Sequence, residues 1–165
     1  MTFYALAPQL ADERRRQAAL RDCGAARKRP GAVRHLVQLS ARLFDASMAM
    51  ATVITARRMV VIAAHGHPFA DADRDVSFCA HVVAHPHAVT CVADAAEDIR
   101  FAGNPFVQGG PKVRFYVGAP LLTPCGAAIG ALCALDTAPR HSVSDQQQQA
   151  LSDLAGRVVT ELLRR

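Results

Sequence analysis

Two pairs of apolar, strand-like segments constrain the fold of this chain more than any other feature of the sequence. The first pair occupies residues 46–64 around a charged break, and the second occupies residues 112–122 and 127–136 around a Pro-Cys-Gly turn. Apolar runs rich in Val, Ile, Thr and Met on either side of a tight turn are typical of β-hairpins. A further strand fits residues 88–93. The order hairpin, single strand, hairpin predicts an antiparallel sheet.

Helical patterns flank these strands at both ends of the chain. Residues 31–44 have apolar side chains at three- and four-residue spacing, which predicts a helix with one buried face. Ser144 and Gln147 form a capping box before an apolar stripe from Leu151 to Leu163. Residues 75–85 fit a short helix that Pro86 ends. Helices at both ends of an antiparallel sheet place the chain in the α+β class.

The positive charge of the chain is concentrated near its start. Residues 1–34 hold eight basic and three acidic side chains, whereas the other residues hold eleven of each. We therefore divide the chain into a basic helical leader, residues 1–30, and a globular domain, residues 31–165. Residues 11–28 predict a charged helix that is exposed along most of its length. The chain has no Trp and two Tyr, so a groove that stacks nucleic-acid bases is disfavoured.

Composition also favours a cytoplasmic protein. The chain has 165 residues, of which 51% are apolar, enough for one packed core. Its most apolar stretches contain Arg57, Arg58 and Arg114, which predicts no membrane span. The first residues lack the pattern of a signal peptide. The five cysteines include no CxxC pair and are expected to be free thiols.

Four motifs between residues 74 and 140 together resemble a known family. They are Ser77-Phe78-Cys79-Ala80-His81, Asp98-Ile99-Arg100-Phe101-Ala102-Gly103-Asn104-Pro105, Arg114-Phe115-Tyr116-Val117-Gly118-Ala119-Pro120-Leu121 and Ile129-Gly130-Ala131-Leu132-Cys133-Ala134-Leu135-Asp136. This set is similar to the GAF domains of bacterial sensor kinases and diguanylate cyclases, and the resemblance extends over nearly the whole chain.

The resemblance implies a PAS-like antiparallel sheet of five to six strands. It implies that the N- and C-terminal helices pack on one face, and that loops and short helices form a small-molecule pocket on the other. It also implies a homodimer through the terminal helices and a role in signal transduction. Relatives continue into a kinase or cyclase domain, whereas this sequence ends at Arg165. We therefore expect the signal to pass to a separate output protein.

The candidate ligand contacts lie in these motifs and around the irregular segment 94–111. They are Phe78, Cys79, His81, Phe101, Asn104, Arg114 and Tyr116. Arg114 offers a planar fork for a carboxylate or phosphate, and the aromatic rings line or fill the pocket. The charged residues of this region have an alternative structural role, in which ion pairs fix the irregular segment. The sequence names no particular ligand or cofactor.

A metal or haem site is an alternative interpretation. Five of the seven histidines and two thiols fall within 27 positions. The candidates His65, His67, His81 and His85 include one pair, His81 and His85, at helical spacing. The spacing matches no familiar zinc pattern, and Cys79 and His81 are explained by the GAF resemblance.

Two further interpretations concern catalysis and scaffolding. GAF-type free methionine sulfoxide reductases need two cysteines in neighbouring pocket loops, whereas here Cys91 falls within a strand. We therefore predict a sensory domain that is not an enzyme. A dimerisation scaffold with a filled pocket is the competing hypothesis, and the volume of the pocket distinguishes the two.

Overall fold

A computed structural model describes residues 3–25 and 30–164, which form six strands and five α-helices. The elements, in chain order, are α1 (Glu13–Cys23), α2 (Pro30–Leu43), β1 (Met48–Ile54), β2 (Arg58–His65), β3 (Ala72–Asp73), α3 (Phe78–Ala84), β4 (Thr90–Val92), α4 (Pro105–Gln108), β5 (Phe115–Leu122), β6 (Ala128–Asp136) and α5 (Asp145–Leu163). A single 3-10 turn, Arg74–Val76, precedes α3.

The six strands form one sheet in the order β3-β2-β1-β6-β5-β4, and every neighbouring pair is antiparallel. The predicted α+β class and strand number are therefore confirmed. β1 and β6 lie in the centre, and all seven residues of β1 are buried. A strand between two others with cover on both faces has no solvent side, which explains why its sequence is apolar except for Thr52.

Helices α2 and α5 cover one face of the sheet, as predicted for helices near the two ends of the chain. Their apolar stripes, including Val33 and Leu36 on α2 and Leu151 and Val158 on α5, pack against alternate residues of β1 and β5. We call this side the helical face. The opposite side is covered by α3, α4 and the rest of the connection between β4 and β5, which contains the irregular segment 94–111, and we call it the loop-covered face.

The first helix differs from its prediction. α1 ends at Cys23, because Gly24 adopts a left-handed conformation (φ 63°). The predicted residues 26–28 lie outside the described residues. Only four of the eleven residues of α1 are exposed, and Arg16 and Leu20 are buried, so the helix is not exposed along most of its length. The guanidinium of Arg16 donates to the Ala128 carbonyl, 112 positions away in sequence, and local helical periodicity carries no trace of this contact.

Residues 3–10, which we call the N-terminal strap, run across the loop-covered face. The Ala5 amide donates to the Arg100 carbonyl (2.8 Å), and the Gly103 amide donates to the Phe3 carbonyl (2.9 Å). Ala7 is buried in the same apolar cluster as Phe78. The N-terminal strap therefore covers the face on which the sequence predicts a pocket.

Smaller differences concern the ends of elements. The predicted strand 88–93 is shortened to β4, and β3 is a two-residue strand that the sequence pattern did not show. The irregular segment contains the single-turn helix α4, which Asn104 caps. Among residues 3–25 and 30–164, no helix is both long and apolar enough to cross a membrane.

Candidate functional site

Five of the seven predicted ligand contacts form one cluster on the loop-covered face. The Phe78 ring stacks on Phe101 at 4.1 Å between centroids and lies 5.2 Å from the ring of Tyr116. His81 meets Phe101 edge-on at 4.8 Å. Cys79 accepts a hydrogen bond from the Tyr116 hydroxyl. All five side chains are buried.

The imidazole of His81 joins α3 to the N-terminal strap. Burial lowers the pKa of His81, although its hydrogen bond to the Ala5 backbone acts in the opposite direction. Burial therefore favours the neutral ring. His81 thus acts in this conformation as a polar contact between α3 and the strap.

Asn104 and Arg114 use their polar groups to hold the irregular segment. The Asn104 side chain accepts from the Phe106 amide and donates to the Val76 carbonyl, both at 2.9 Å. The Arg114 guanidinium donates to the Val107 and Val113 carbonyls, both at 3.0 Å. Ion pairing between Arg100 and Asp98 at 2.8 Å also supports the segment. These contacts provide the structural role that the sequence offered as an alternative.

The cavity beside this cluster is small. A cavity of about 20 Å³ remains on the loop-covered face, against roughly 300 Å³ or more for a typical ligand site. Its walls are apolar, and the lining residues are Met50, Met59, Phe69, Phe78, Phe106, Val113 and Leu135. Such a cavity accommodates about one water-sized molecule. A metabolite therefore needs a rearrangement of these side chains before it can bind here.

Larger concavities lie beside the helices. An open groove of about 480 Å³ runs between α2 and α5, with apolar walls from Leu39, Leu43 and Leu154. Arg42, Asp153 and Arg157 also line this groove. Another groove of about 510 Å³ lies between the first half of α5 and residues 86–89.

A pair of thiols, which the sequence did not predict, lies between α3 and the sheet. The sulfur atoms of Cys79 on α3 and Cys133 on β6 are 3.9 Å apart, and neither residue is exposed to solvent. The Tyr116 hydroxyl, 3.2 Å from the Cys79 sulfur, lies above Gly118, where any side chain would collide with it. The two-residue period of β6 was the available signal, because it places Cys133 on the same face as Leu135.

Several polar groups surround Cys79 in this otherwise apolar region. Hydrogen bonding with Cys133 lowers the pKa of Cys79; burial opposes this shift, while Thr52, Tyr116 and Ser77 contribute to it. Burial raises the pKa of Cys133 well above its ordinary value.

The metal-site candidates are not brought together. His81 is buried under the strap, and the His85 ring contacts the backbone carbonyl of His81 at 3.0 Å. His65 ends β2, while His67 packs edge-on against Phe69 at 4.6 Å. Within residues 3–25 and 30–164, no group of three or more His, Cys, Asp or Glu side chains is placed to hold a metal ion. Cys91, the second thiol considered for catalysis, is exposed on β4.

Comparison with known sequences identifies relatives along almost the whole chain. A family model described as the GAF domain matches residues 10–162. A cyclic di-GMP phosphodiesterase of Pseudomonas aeruginosa is 32% identical over 156 residues, which are 94% of this chain and 26% of that protein. The chain therefore spans about a quarter of the length of this relative.

Comparison with solved structures shows the same fold in proteins of different roles. The GAF domain of an Acinetobacter phosphoenolpyruvate-protein phosphotransferase has a TM-score of 0.67 at 13% identity, covering 93% of this chain and 94% of its own. The PixJ GAF domain of Thermosynechococcus elongatus has a TM-score of 0.63 at 20% identity, with 96% and 90% covered. A type II free methionine-R-sulfoxide reductase of Thermoplasma acidophilum has a TM-score of 0.62 at 11% identity, with 91% and 94% covered. At these identities the likeness concerns the fold alone.

Proposed function

The chain belongs to the GAF domain family, and we propose that it is a sensory domain that binds a small molecule on the loop-covered face and has no catalytic role. The observation that carries this proposal is the cluster of Phe78, Cys79, His81, Phe101 and Tyr116 beneath α3. The GAF family is one of sensory and signalling domains. The similarity of this chain to part of a cyclic di-GMP phosphodiesterase supports a regulatory role in cyclic di-GMP signalling.

The cavity of about 20 Å³ corresponds, in this proposal, to the closed state of the domain. Ligand binding moves the Phe78 and Phe106 side chains and displaces the N-terminal strap. The two backbone hydrogen bonds of the strap to Arg100 and Gly103 are few compared with those of a central strand, so this displacement opens the site at low cost. A ligand shifts the equilibrium only because it binds the open state more tightly.

The helical face carries the output in this proposal. β5 presents Tyr116 to the ligand cluster and its neighbours Phe115 and Val117 to the core under α2 and α5. A displacement of Tyr116 is therefore transmitted to the helices through one strand. The apolar groove with Leu39 and Leu154 supports a homodimer through these helices, which then signals to a separate partner protein.

Native mass spectrometry of freshly purified protein tests the proposal. We expect a bound mass that disappears under denaturing conditions, because a resident ligand is held without a covalent bond. Arg114→Gln should raise the Kd for the ligand about tenfold, which corresponds to the loss of one charged contact. The Tm of this variant is measured alongside, because the same guanidinium also holds the Val107 and Val113 carbonyls. Arg34→Gln, an exposed position on α2 outside the groove, is the matched control and should leave occupancy unchanged.

A dimerisation scaffold is the second candidate function, and the filled cavity favours it. A scaffold needs the helical groove but no space on the loop-covered face. Bare chains in the wild type and in both variants, together with a stable dimer in the same native spectra, would support the scaffold and contradict the sensory proposal.

A further inference from the structure

We propose that Cys79 and Cys133 form a peroxide-sensitive dithiol, whose oxidation to a disulfide fastens α3 to the central strand β6. This modification site goes beyond the proposed function, because it requires no ligand in the cavity. Its substrate class is a small peroxide, and its product is a covalent link between the loop-covered face and the centre of the sheet.

The positions of the two thiols suit this reaction. Their sulfur atoms are 3.9 Å apart, so they must approach by roughly 2 Å to reach the length of a disulfide bond. The other three cysteines do not share the site: Cys23 is half-buried, while Cys91 and Cys125 are exposed.

The surroundings of Cys79 favour attack by this sulfur. The Tyr116 hydroxyl donates to it at 3.2 Å, while Cys133 is tied to the Met50 carbonyl at 3.5 Å. The hydrogen bond from Tyr116 stabilises the thiolate form of Cys79, which makes Cys79 the attacking sulfur and Cys133 the second thiol.

The chemistry balances in two steps. The Cys79 thiolate attacks one oxygen of hydrogen peroxide, the O–O bond breaks, and hydroxide leaves and is protonated to water, which gives a sulfenic acid. The Cys133 sulfur then attacks the Cys79 sulfur, the S–S bond forms, and the S–O bond breaks with loss of a second water. Two thiols are oxidised and one peroxide is reduced. A dithiol reductant reverses the change by forming its own disulfide.

Access for the peroxide requires only a small space and local opening. The cavity of about 20 Å³ is lined by Phe78, the neighbour of Cys79, and by Met50, which pairs with Cys133 across β1 and β6. Hydrogen peroxide is close to water in size, so this cavity is of the right order for it. Release of the N-terminal strap, which buries Ala7 against the same cluster, opens the route from solvent.

The test uses the full chain with Cys23→Ser, Cys91→Ser and Cys125→Ser, which leaves only the buried pair. We expect hydrogen peroxide to reduce the intact mass by about 2 Da, the loss of two hydrogen atoms, and dithiothreitol to restore it. Remaining thiols are blocked with N-ethylmaleimide in denaturant, and a peptide map should show residues 79 and 133 cross-linked.

Variants separate the proposed mechanism from general oxidation. Adding Cys133→Ala should stop the reaction at the sulfenic acid of Cys79, which dimedone traps, with no loss of 2 Da. A three-substitution chain that keeps its reduced mass, under peroxide exposure that oxidises Cys125 of the wild type, would overturn the proposal. So would oxidation that dithiothreitol does not reverse, or that is confined to methionine.

Discussion

Glu13 is the residue that fixes the start of the chain to the sheet. Its carboxylate accepts from Arg16 at 2.8 and 3.0 Å and from Arg74 at 2.6 and 3.1 Å. Both guanidinium groups are buried, and they also donate to the carbonyls of Ala128 and Thr55. One carboxylate therefore compensates two buried cations, so its removal leaves charge in the interior without a partner.

Glu13→Gln should lower the free energy of unfolding by roughly 2–4 kcal/mol at pH 7, because breaking a buried ion pair strands the other partner. Burial opposes ionisation of Glu13, but hydrogen bonds from Arg16, Arg74 and Gln17 hold its pKa well below the ordinary value of 4.5. The unfolded chain therefore binds this proton first, and the stabilisation is lost as the pH falls below about 4.5. Urea unfolding at several pH values measures both effects.

The matched control is Asp73→Asn. Asp73 pairs with Arg58 at 2.6 Å, but both side chains are largely exposed, so this change should cost less than about 1 kcal/mol. Equal losses for the two variants at pH 7, or an unchanged acid limb for Glu13→Gln, would contradict the assignment.

The sequence predicts which types of residue lie in the candidate site, but it does not predict their hydrogen-bond and contact partners. The motifs identified Asn104 and Arg114 as polar groups beside an irregular segment. The Asn104 side-chain amide donates a hydrogen bond to the Val76 carbonyl, 28 positions away in sequence. Nothing in the sequence near Asn104 indicates this partner. Cys133 was missed for the same reason, since its contact with Cys79 spans 54 positions.

At the scale of elements, α5 and α1 show why one helix was predictable and the other was not. The capping box of α5 is formed by Ser144 and Gln147, as the sequence predicts. Its signals lie within three residues of each other. The burial of α1 depends on Arg74 and Ala128, which lie far along the chain. Local patterns describe how a helix begins and which stripe is apolar, whereas distant contacts decide where a charged helix docks.

Ser144→Ala should lower the free energy of unfolding by about 1 kcal/mol, because the Gln147 amide loses its cap. For a chain of this size the corresponding fall in Tm is roughly 2–4 °C. Differential scanning calorimetry measures it. Ser152→Ala, in the same helix but away from its start, should change Tm by less, and a similar fall for both variants would argue against a capping role.

At the scale of the whole molecule, one sheet separates two apolar cores. The core under the helical face is closed by two long helices, whereas the core of the loop-covered face is closed by short helices and the N-terminal strap. The strap adds only two backbone hydrogen bonds to the irregular segment. The two cores should therefore differ in the free energy needed to open them.

Hydrogen exchange should show this difference directly. We expect the amides of Ala5 and Gly103 to exchange at least about tenfold faster than those of the central strand β1, since the strap opens without unfolding of the sheet. Exchange measured by mass spectrometry on overlapping peptides resolves the two regions. Equal protection of the strap and β1 would show that both open only with the whole domain, which would count against access through the strap.

Sequence patterns were enough to predict the α+β class, both hairpins, the capped α5 and the family, because each depends on periodicity, turn residues or motifs within short stretches of chain. The tertiary structure was needed to show that five predicted ligand contacts pack on one another beneath the strap, beside a cavity of about 20 Å³, and that Cys79 meets Cys133. These properties depend on volumes and distances between residues far apart in the chain. Local sequence patterns do not encode such distances, because the packing of the whole domain sets them.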